Sequence, residues 1–407
     1  NFRSHMAIFS LLLFKNFLHE VDYVTKIGSQ IFIYPYIGRS KNVIRCFKTT
    51  SFFVFFTIFQ LAISLIATKL KNWFEIINIA PNLGVCILIL IKYIKMHTNQ
   101  EVYNDIVLHF RNNVFDFIDP ESETHKVILE RYTNSTKVII RFEYYYTVIL
   151  VVIVILFPRL LMFYETDILG NDIQYLYPYD GWYPFDKVKW YYAAYVWESV
   201  MTTVVIVLFV FANMVHWLFT RYICMELKIL GTVVENLVSS QDVKNITRCK
   251  FVRETHEHIR VKLKAIIKRH QMVSDLEKVL GTGMLMMYIF GSIFICLTIF
   301  TATVVDNLYM SLRYFSFFCS LLVEVFIQCI IGQFLINHSA DFEHAIYSTD
   351  WPYADRDTNR MLLVLLIRAQ KPLKFSANGY ITMNLDTFSG ICSLSYQFFN
   401  ILRTAYS

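Results

Sequence analysis

Residues 279–305 read VLGTGMLMMYIFGSIFICLTIFTATVV, with no charged side chain between Lys278 and Asp306. A bilayer offers no partner for backbone N–H and C=O groups, so a chain crosses its ~30 Å hydrocarbon core as an apolar helix of about 20 residues. This run meets that requirement, and six more segments resemble it. They are Thr49–Thr68, Trp73–Ile91 with Pro81 inside, Tyr144–Tyr164 with Pro158 and Arg159 near one end, Trp190–Thr220, Tyr314–Ala340 and Thr387–Leu402. The last is short and contains Gly390, Ser393, Ser395, Gln397 and Asn400, a composition suited to facing water or other helices.

Composition agrees. Of 407 residues, 56% are hydrophobic and 17% charged, where soluble domains carry about a quarter charged. The aromatic load is 36 Phe, 26 Tyr and 6 Trp. The eight cysteines show no CxxC spacing, so neither a disulfide framework nor a zinc site is expected. No cleavable leader is expected either, because the apolar stretch at Ser10–Phe14 is too short.

Cations set the orientation. If the N-terminus lies inside, the inner segments 1–48, 92–141, 218–281 and 336–379 hold 31 of the 38 Lys and Arg. The outer loops hold six, and Arg403 completes the set. Cytoplasmic loops are enriched in Lys and Arg, so the N-terminus is expected inside and, with seven spans, the C-terminus outside. The three N-x-[ST] sites, Asn134, Asn245 and Asn337, all fall on the inner side.

The expected organisation is all-α. A cytoplasmic segment (1–48) precedes spans one to four (49–220), whose outer loop is 165–189. A cytoplasmic helical region (221–281) leads to spans five and six (282–340). A further cytoplasmic piece (341–383) leads to the last helix (384–407). Ile259, Leu263, Ile266, Ile267, His270, Val273, Leu276 and Leu280 recur at spacings of three and four, a helical stripe that must pack on something inside. Asn359–Ala369 is a second such piece, and polar Ser239–Asn245 is expected to be a flexible loop. The outer loop combines Tyr175, Tyr177, Pro178, Tyr179, Trp182, Tyr183, Pro184 and Phe185. It is expected to pack as a lid on the bundle.

Several motifs resemble the insect odorant receptor family: Tyr177-Pro-Tyr-Asp-Gly-Trp-Tyr-Pro-Phe-Asp186, Cys329-Ile-Ile-Gly-Gln333, His338-Ser339 and Ala345-Ile-Tyr-Ser-Thr-Asp-Trp351. Arg368-Ala-Gln-Lys-Pro372, Leu385-Asp-Thr-Phe388, Ser395-Tyr396 and Asn400-Ile-Leu-Arg403 continue the series. The resemblance spans essentially the whole chain and is densest from Cys329 onward. It implies a subunit of a ligand-gated, non-selective cation channel, with four subunits around one pore. The last helix is then split into a cytoplasmic part, Asn359–Gln370, and a pore-lining part, Asp386–Arg403. Because the co-receptor's long insertion before span five is missing, the chain resembles a tuning subunit that pairs with a co-receptor in a heterotetramer. The gustatory relatives' Thr-Tyr…Gln-Phe ending is also missing. The resemblance further implies the plasma membrane of a sensory neuron and a small, volatile, apolar ligand.

On the last helix Leu394, Gln397, Ile401 and Thr404 share one face by spacing. By resemblance Ile401 is the hydrophobic gate, at a position where the family usually has Val. The ligand pocket implied by the family lies among spans two, three, four and six. Here that region offers Ile77, Ala80, Pro81, Ile153, Leu156, Tyr195, Met201, Thr202, Tyr314, Phe317 and Phe318. Two acids stand inside apolar runs, which marks each as a functional candidate: Glu198, placed to polarise the pocket, and Glu324, nearer mid-membrane.

Other chemistries find no support. His256-Glu-His258 has no third metal ligand nearby, no nucleophile constellation is present, and no enzyme, cofactor or nucleic-acid partner is expected. A G-protein-coupled receptor would need the opposite orientation and helix-end motifs that are not found, and a transporter would need an inverted repeat. A homomeric odorant-gated channel remains an alternative to the heteromer.

Overall fold

The structure is a computed structural model. It describes residues 19–28, 51–52, 54–63, 66, 73–99, 101, 105, 108, 117–118, 122–168, 170, 175–179, 181, 183–249, 251–281, 284–305, 308–377 and 381–406. Within these, the side chains of 73–81, 95–97, 276, 278–281, 284–287, 308, 377 and 405–406 are not described.

Each of the seven apolar segments falls on a helix. After α1 (19–28) come α2 (Val54–Ile63), α3 (Trp73–Thr98), α4 (Glu123–Phe163) and α5 (Tyr191–Glu235). Then follow α6 (Ser240–Thr247), α7 (Val252–Gly281), α8 (Met284–Val304), α9 (Leu308–Tyr347), α10 (Arg356–Ala369) and α11 (Leu385–Tyr406). By length and composition α4, α5 and α9 are each sufficient to cross a membrane. Among the described residues α2, α3 and α8 contain shorter apolar stretches.

The three longest helices have 41, 45 and 40 residues. At 1.5 Å per residue they run ~60–70 Å, about twice the hydrocarbon thickness. They therefore continue beyond the bilayer and join α7 and α10 in a second layer. That layer is the better packed. The α5 run Tyr222, Ile223, Cys224, Met225, Leu227 and Leu230 is fully buried, as are Ile259, Leu263, Ile266 and Val273 of the stripe on α7. An ion pair sits inside it: Arg269 donates to Glu226 at 2.8 Å with both side chains buried, and Tyr222 donates to the same carboxylate. A buried pair of this kind holds only because its hydrogen bonds are satisfied.

Two helix starts follow from local chemistry. Ser122 caps α4 by accepting from the N–H of His125, and Asp355 caps α10 by accepting from Thr358. The expectation of a flexible loop at Ser239–Asn245 is corrected: the segment begins α6. Ser239 and Asp242 form a reciprocal capping box that satisfies the first orphan N–H groups.

The return from α10 to α11 is held by a two-residue antiparallel ladder, β1 (Ser376–Ala377) with β2 (Ile381–Thr382), paired Ser376 to Thr382 and Ala377 to Ile381. Two motif residues seat this segment. Gly332 lies so close that a Cβ there would meet the Met383 carbonyl oxygen at 2.0 Å. Ser339 Oγ accepts from the N–H of Leu373 at 3.0 Å. A third motif residue, Thr349, ties the end of α9 to α5, its Oγ1 donating to the carbonyl of Val234 at 3.0 Å. α11 then packs along α8 through buried Ile391 and Ser395, whose hydroxyl donates to the Ser292 carbonyl.

Candidate functional site

A cavity of about 280 Å³ lies in the half of the bundle that carries the aromatic loop. It is enclosed by α2, α3, α4, α5 and α9, with Pro178 and Tyr179 of the loop also in its wall. Ligand pockets generally run from about 300 to 1,000 Å³, so this one suits a small molecule. Its walls are mainly apolar, with Ile89, Val154, Phe157, Phe209 and Leu321 among them.

Of the residues singled out for the pocket, Ile153, Met201, Thr202, Tyr314 and Phe317 line this cavity. The side chains of Ile77, Ala80 and Pro81 lie outside the described residues, although α3 carries their backbone. Three others are placed elsewhere. Leu156 is not in the cavity wall and, like Ile153, is largely exposed. Tyr195 is buried beside Tyr177, Tyr191 and Ala194, and its hydroxyl donates to the carbonyl of Ile155. Phe318 packs against the main core.

Glu198 is also absent from the cavity wall; it holds the loop. Fully buried, its carboxylate accepts from the N–H groups of Tyr179 and Gly181, both at 3.0 Å, and from the Tyr183 hydroxyl at 3.2 Å. Charge-assisted hydrogen bonds to backbone N–H groups are the stronger class, so one acid fixes three points of the loop. Further ties come from Tyr179 to Gln60 (3.1 Å), Tyr191 to the Leu176 carbonyl (3.1 Å) and Tyr309 to the Tyr177 carbonyl (3.2 Å). The loop is thus a fixed wall of the cavity rather than an unattached belt.

One turn deeper is a polar cluster. Lys92 Nζ donates to Asn213 Oδ1 at 2.8 Å and lies 3.4 Å from Glu324 Oε1. Asn213 donates to the other Glu324 oxygen at 2.7 Å, and Gln328 donates to Asn213 at 3.1 Å. Glu143 is buried within electrostatic reach of Lys92 and Glu324. These groups join α3, α4, α5 and α9. The cluster touches the cavity through Phe209, whose ring lies 4.4 Å from the Lys92 ammonium. Glu324 is therefore ion-paired and hydrogen-bonded. Lys92, counted with the inner loop cations, lies on a helix facing the bundle, which moves one charge of the orientation count without changing its sign.

On α11, Gln397, Ile401 and Thr404 lie on the exposed face and Leu394 is half-buried at its edge. Ile401 is 62% exposed. Opposite, Ile391 and Ser395 are buried. The face named from spacing is hence the one turned away from this subunit's own bundle.

The 7tm Odorant receptor family model matches residues 72–396. Odorant receptor 85d of Drosophila melanogaster is 32% identical over 151 residues, covering 35% of this chain and 36% of that protein. Odorant receptor 67c of the same organism is 26% identical over 232 residues, 56% of this chain and 54% of that one. The matches thus span about a third to a half of the length of these curated relatives. Among solved structures, the insect olfactory receptor OR5 from Machilis hrabei in complex with eugenol superposes with a TM-score of 0.72. It covers 96% of this chain and all of the other at 15% identity, which speaks to the fold. A multi-helix membrane fold shared along nearly its whole length and a family match over most of its residues place this chain in the odorant receptor family, a family of receptors and not of enzymes.

Proposed function

We propose that this chain is the odorant-binding subunit of a ligand-gated, non-selective cation channel in the plasma membrane of a sensory neuron, assembled with a co-receptor subunit in a heterotetramer. The observation that carries the reading is the pairing of two features on one bundle: a small apolar cavity beneath a fixed aromatic loop, and a polar last helix whose Ile401 face its own bundle leaves uncovered. The solved relative in complex with eugenol supports a small aromatic or apolar ligand.

In this reading the N-terminus is inside and the cavity faces outward. Ligand affinity comes chiefly from burial, at about 25 cal/mol per Å² of apolar surface. Binding favours one of two bundle arrangements, and only the difference in affinity between them moves the equilibrium. In the closed arrangement four α11 helices bring Ile401 or its counterparts together and dewet the pore. In the open one α11 moves outward. Leu363, Val364 and Ile367 form an exposed apolar face on α10 and supply contact between subunits in the inner layer.

The test is whole-cell recording from cells expressing this chain with and without a co-receptor, against an odorant panel, with G-protein signalling blocked. Rapid cation currents that need both chains are expected. Currents without the co-receptor would favour the homomeric channel, and responses abolished by the G-protein block would overturn the channel reading.

A further inference from the structure

The polar groups lining the cavity are, with one exception, engaged within the protein. Tyr179 donates to Gln60, Tyr309 to the Tyr177 carbonyl, Ser316 to the Arg313 carbonyl at 2.8 Å, and Ser320 pairs with Tyr146 at 3.0 Å. Thr57, Asn82, Arg313 and Tyr314 also have partners. Among the described lining residues, Thr202 is the one whose hydroxyl is buried and unpartnered.

Thr133, Thr136 and Ser199 are buried and unpartnered too, but of the four only Thr202 lines the cavity. A helix offers threonine a ready acceptor, the carbonyl four residues earlier, and this chain uses it repeatedly. Thr147 donates to Glu143 at 2.7 Å, Thr203 to Ser199 at 2.7 Å and Thr220 to His216 at 2.8 Å. Thr202, next to Thr203 on the same helix, does not. The Thr202 hydroxyl has no accessible surface as it stands, so it meets the cavity its residue lines by turning about the Cα–Cβ bond; an acceptor there then relieves the standing cost of an unmade hydrogen bond. A hydrocarbon of the same shape gains nothing there.

We propose that Thr202 is the polar anchor of the cavity and selects ligands with an apolar body and a single uncharged oxygen acceptor, such as a ketone, aldehyde or ester. This rests on the cavity being the ligand site and goes further by naming the ligand class and the residue that reads it. An anionic ligand is the competing chemistry, because Arg313 lies on the same wall. That guanidinium, however, is 5.7 Å from the Tyr314 ring and has partners within the protein.

The experiment uses three matched series about six to ten carbons long, sized to so small a cavity: methyl ketones, the isosteric 2-methyl-1-alkenes and the carboxylic acids. Binding is read as the thermal shift of the purified full chain, and activation as current with the co-receptor. Wild type is expected to respond to ketones at concentrations about tenfold below the matched alkenes, the usual scale of one hydrogen bond. Thr202→Val, which keeps the shape and removes the hydroxyl, should erase that difference while alkene responses persist. Thr202→Ser should preserve it. A ketone preference that survives Thr202→Val, or acids that outperform ketones in wild type, would overturn the anchor while leaving the cavity as the ligand site. Failure of folded wild type to bind any of the three series would overturn both.

Discussion

The two halves of the bundle are built on opposite terms. In the inner half, α5 is almost completely buried from Tyr222 to Val234, and the apolar stripe of α7 is buried beside the Arg269–Glu226 pair. In the outer half, only 6% of the apolar window of α4 is buried, Val148, Ile149 and Leu160 face outward, and a cavity occupies the centre. Dry, close-packed interiors resist deformation because each lost contact is felt. A bundle with an internal cavity and lipid on one side has fewer contacts to lose. Under the proposed function the contrast divides the roles: the inner half would hold subunits in register, and the outer half would change when a ligand fills it.

The sharpest way to break that contrast is to damage the rigid half. Arg269→Met leaves Glu226 buried without its cation, which should cost about 3–5 kcal/mol. A markedly lowered melting temperature of the purified chain is expected, with little protein at the cell surface. A melting temperature within a degree of wild type would show that the inner layer is not the stabilising half.

A smaller effect is expected from the outer half. Glu198→Gln keeps the shape but weakens the acceptor for Tyr179, Gly181 and Tyr183, at about 1–3 kcal/mol locally. Odorant dissociation, read as the decay of current after wash-out, should quicken several-fold while the melting temperature barely moves. A large drop in melting temperature with unchanged decay would make Glu198 part of the global fold instead of the wall of the cavity.

A third effect, absent at neutral pH and confined to the acid range, is a pH dependence of the inner half. Burial, with the Arg368 charge adding to it, lowers His270 from 6.5 to about 4, and its ring stacks on Phe342 at 4.8 Å. The unfolded chain therefore takes up a proton that the folded chain refuses. The stability from the neutral ring is present above pH 6.5 and is lost as pH falls toward 4. His270→Phe should flatten the melting temperature across that window. An unchanged slope would move the effect to another group.

Much of the fold was legible in the sequence because a membrane span is a property of a window, not of one residue. The described residues of all seven windows, window ends aside, fall on helices, and the stripe on α7 is buried at Ile259, Leu263, Ile266 and Val273 as its spacing required. The pocket was harder to read. Lipid is as apolar as a pocket wall, so Ile153 and Leu156, one turn apart on the same helix, read alike in sequence, yet only the first lines the cavity. Lys92 was read as a loop cation because the apolar window ends beside it, while its partner Glu324 lies far along the chain. The role of Glu198 depends on backbone N–H groups of the loop, which carry no sequence signal. Only α6 had a local sign that the reading overlooked: Ser239 and Asp242 at capping-box spacing. The family motifs from Cys329 onward are readable as architecture, since Gly332 and Ser339 seat the segment that leads into α11 and Thr349 ties α9 to α5.

The account depends most on what the uncovered face of α11 borders. The direct measurement is the rate at which a membrane-impermeant cationic thiosulfonate reagent alters odorant-evoked current in Ile401→Cys, co-expressed with a co-receptor, relative to the parent chain. Rapid, irreversible modification in the presence of odorant, and slow modification without it, is the expected result. A channel that conducts normally yet is untouched by the reagent in either condition would remove Ile401 from the pore and contradict the account.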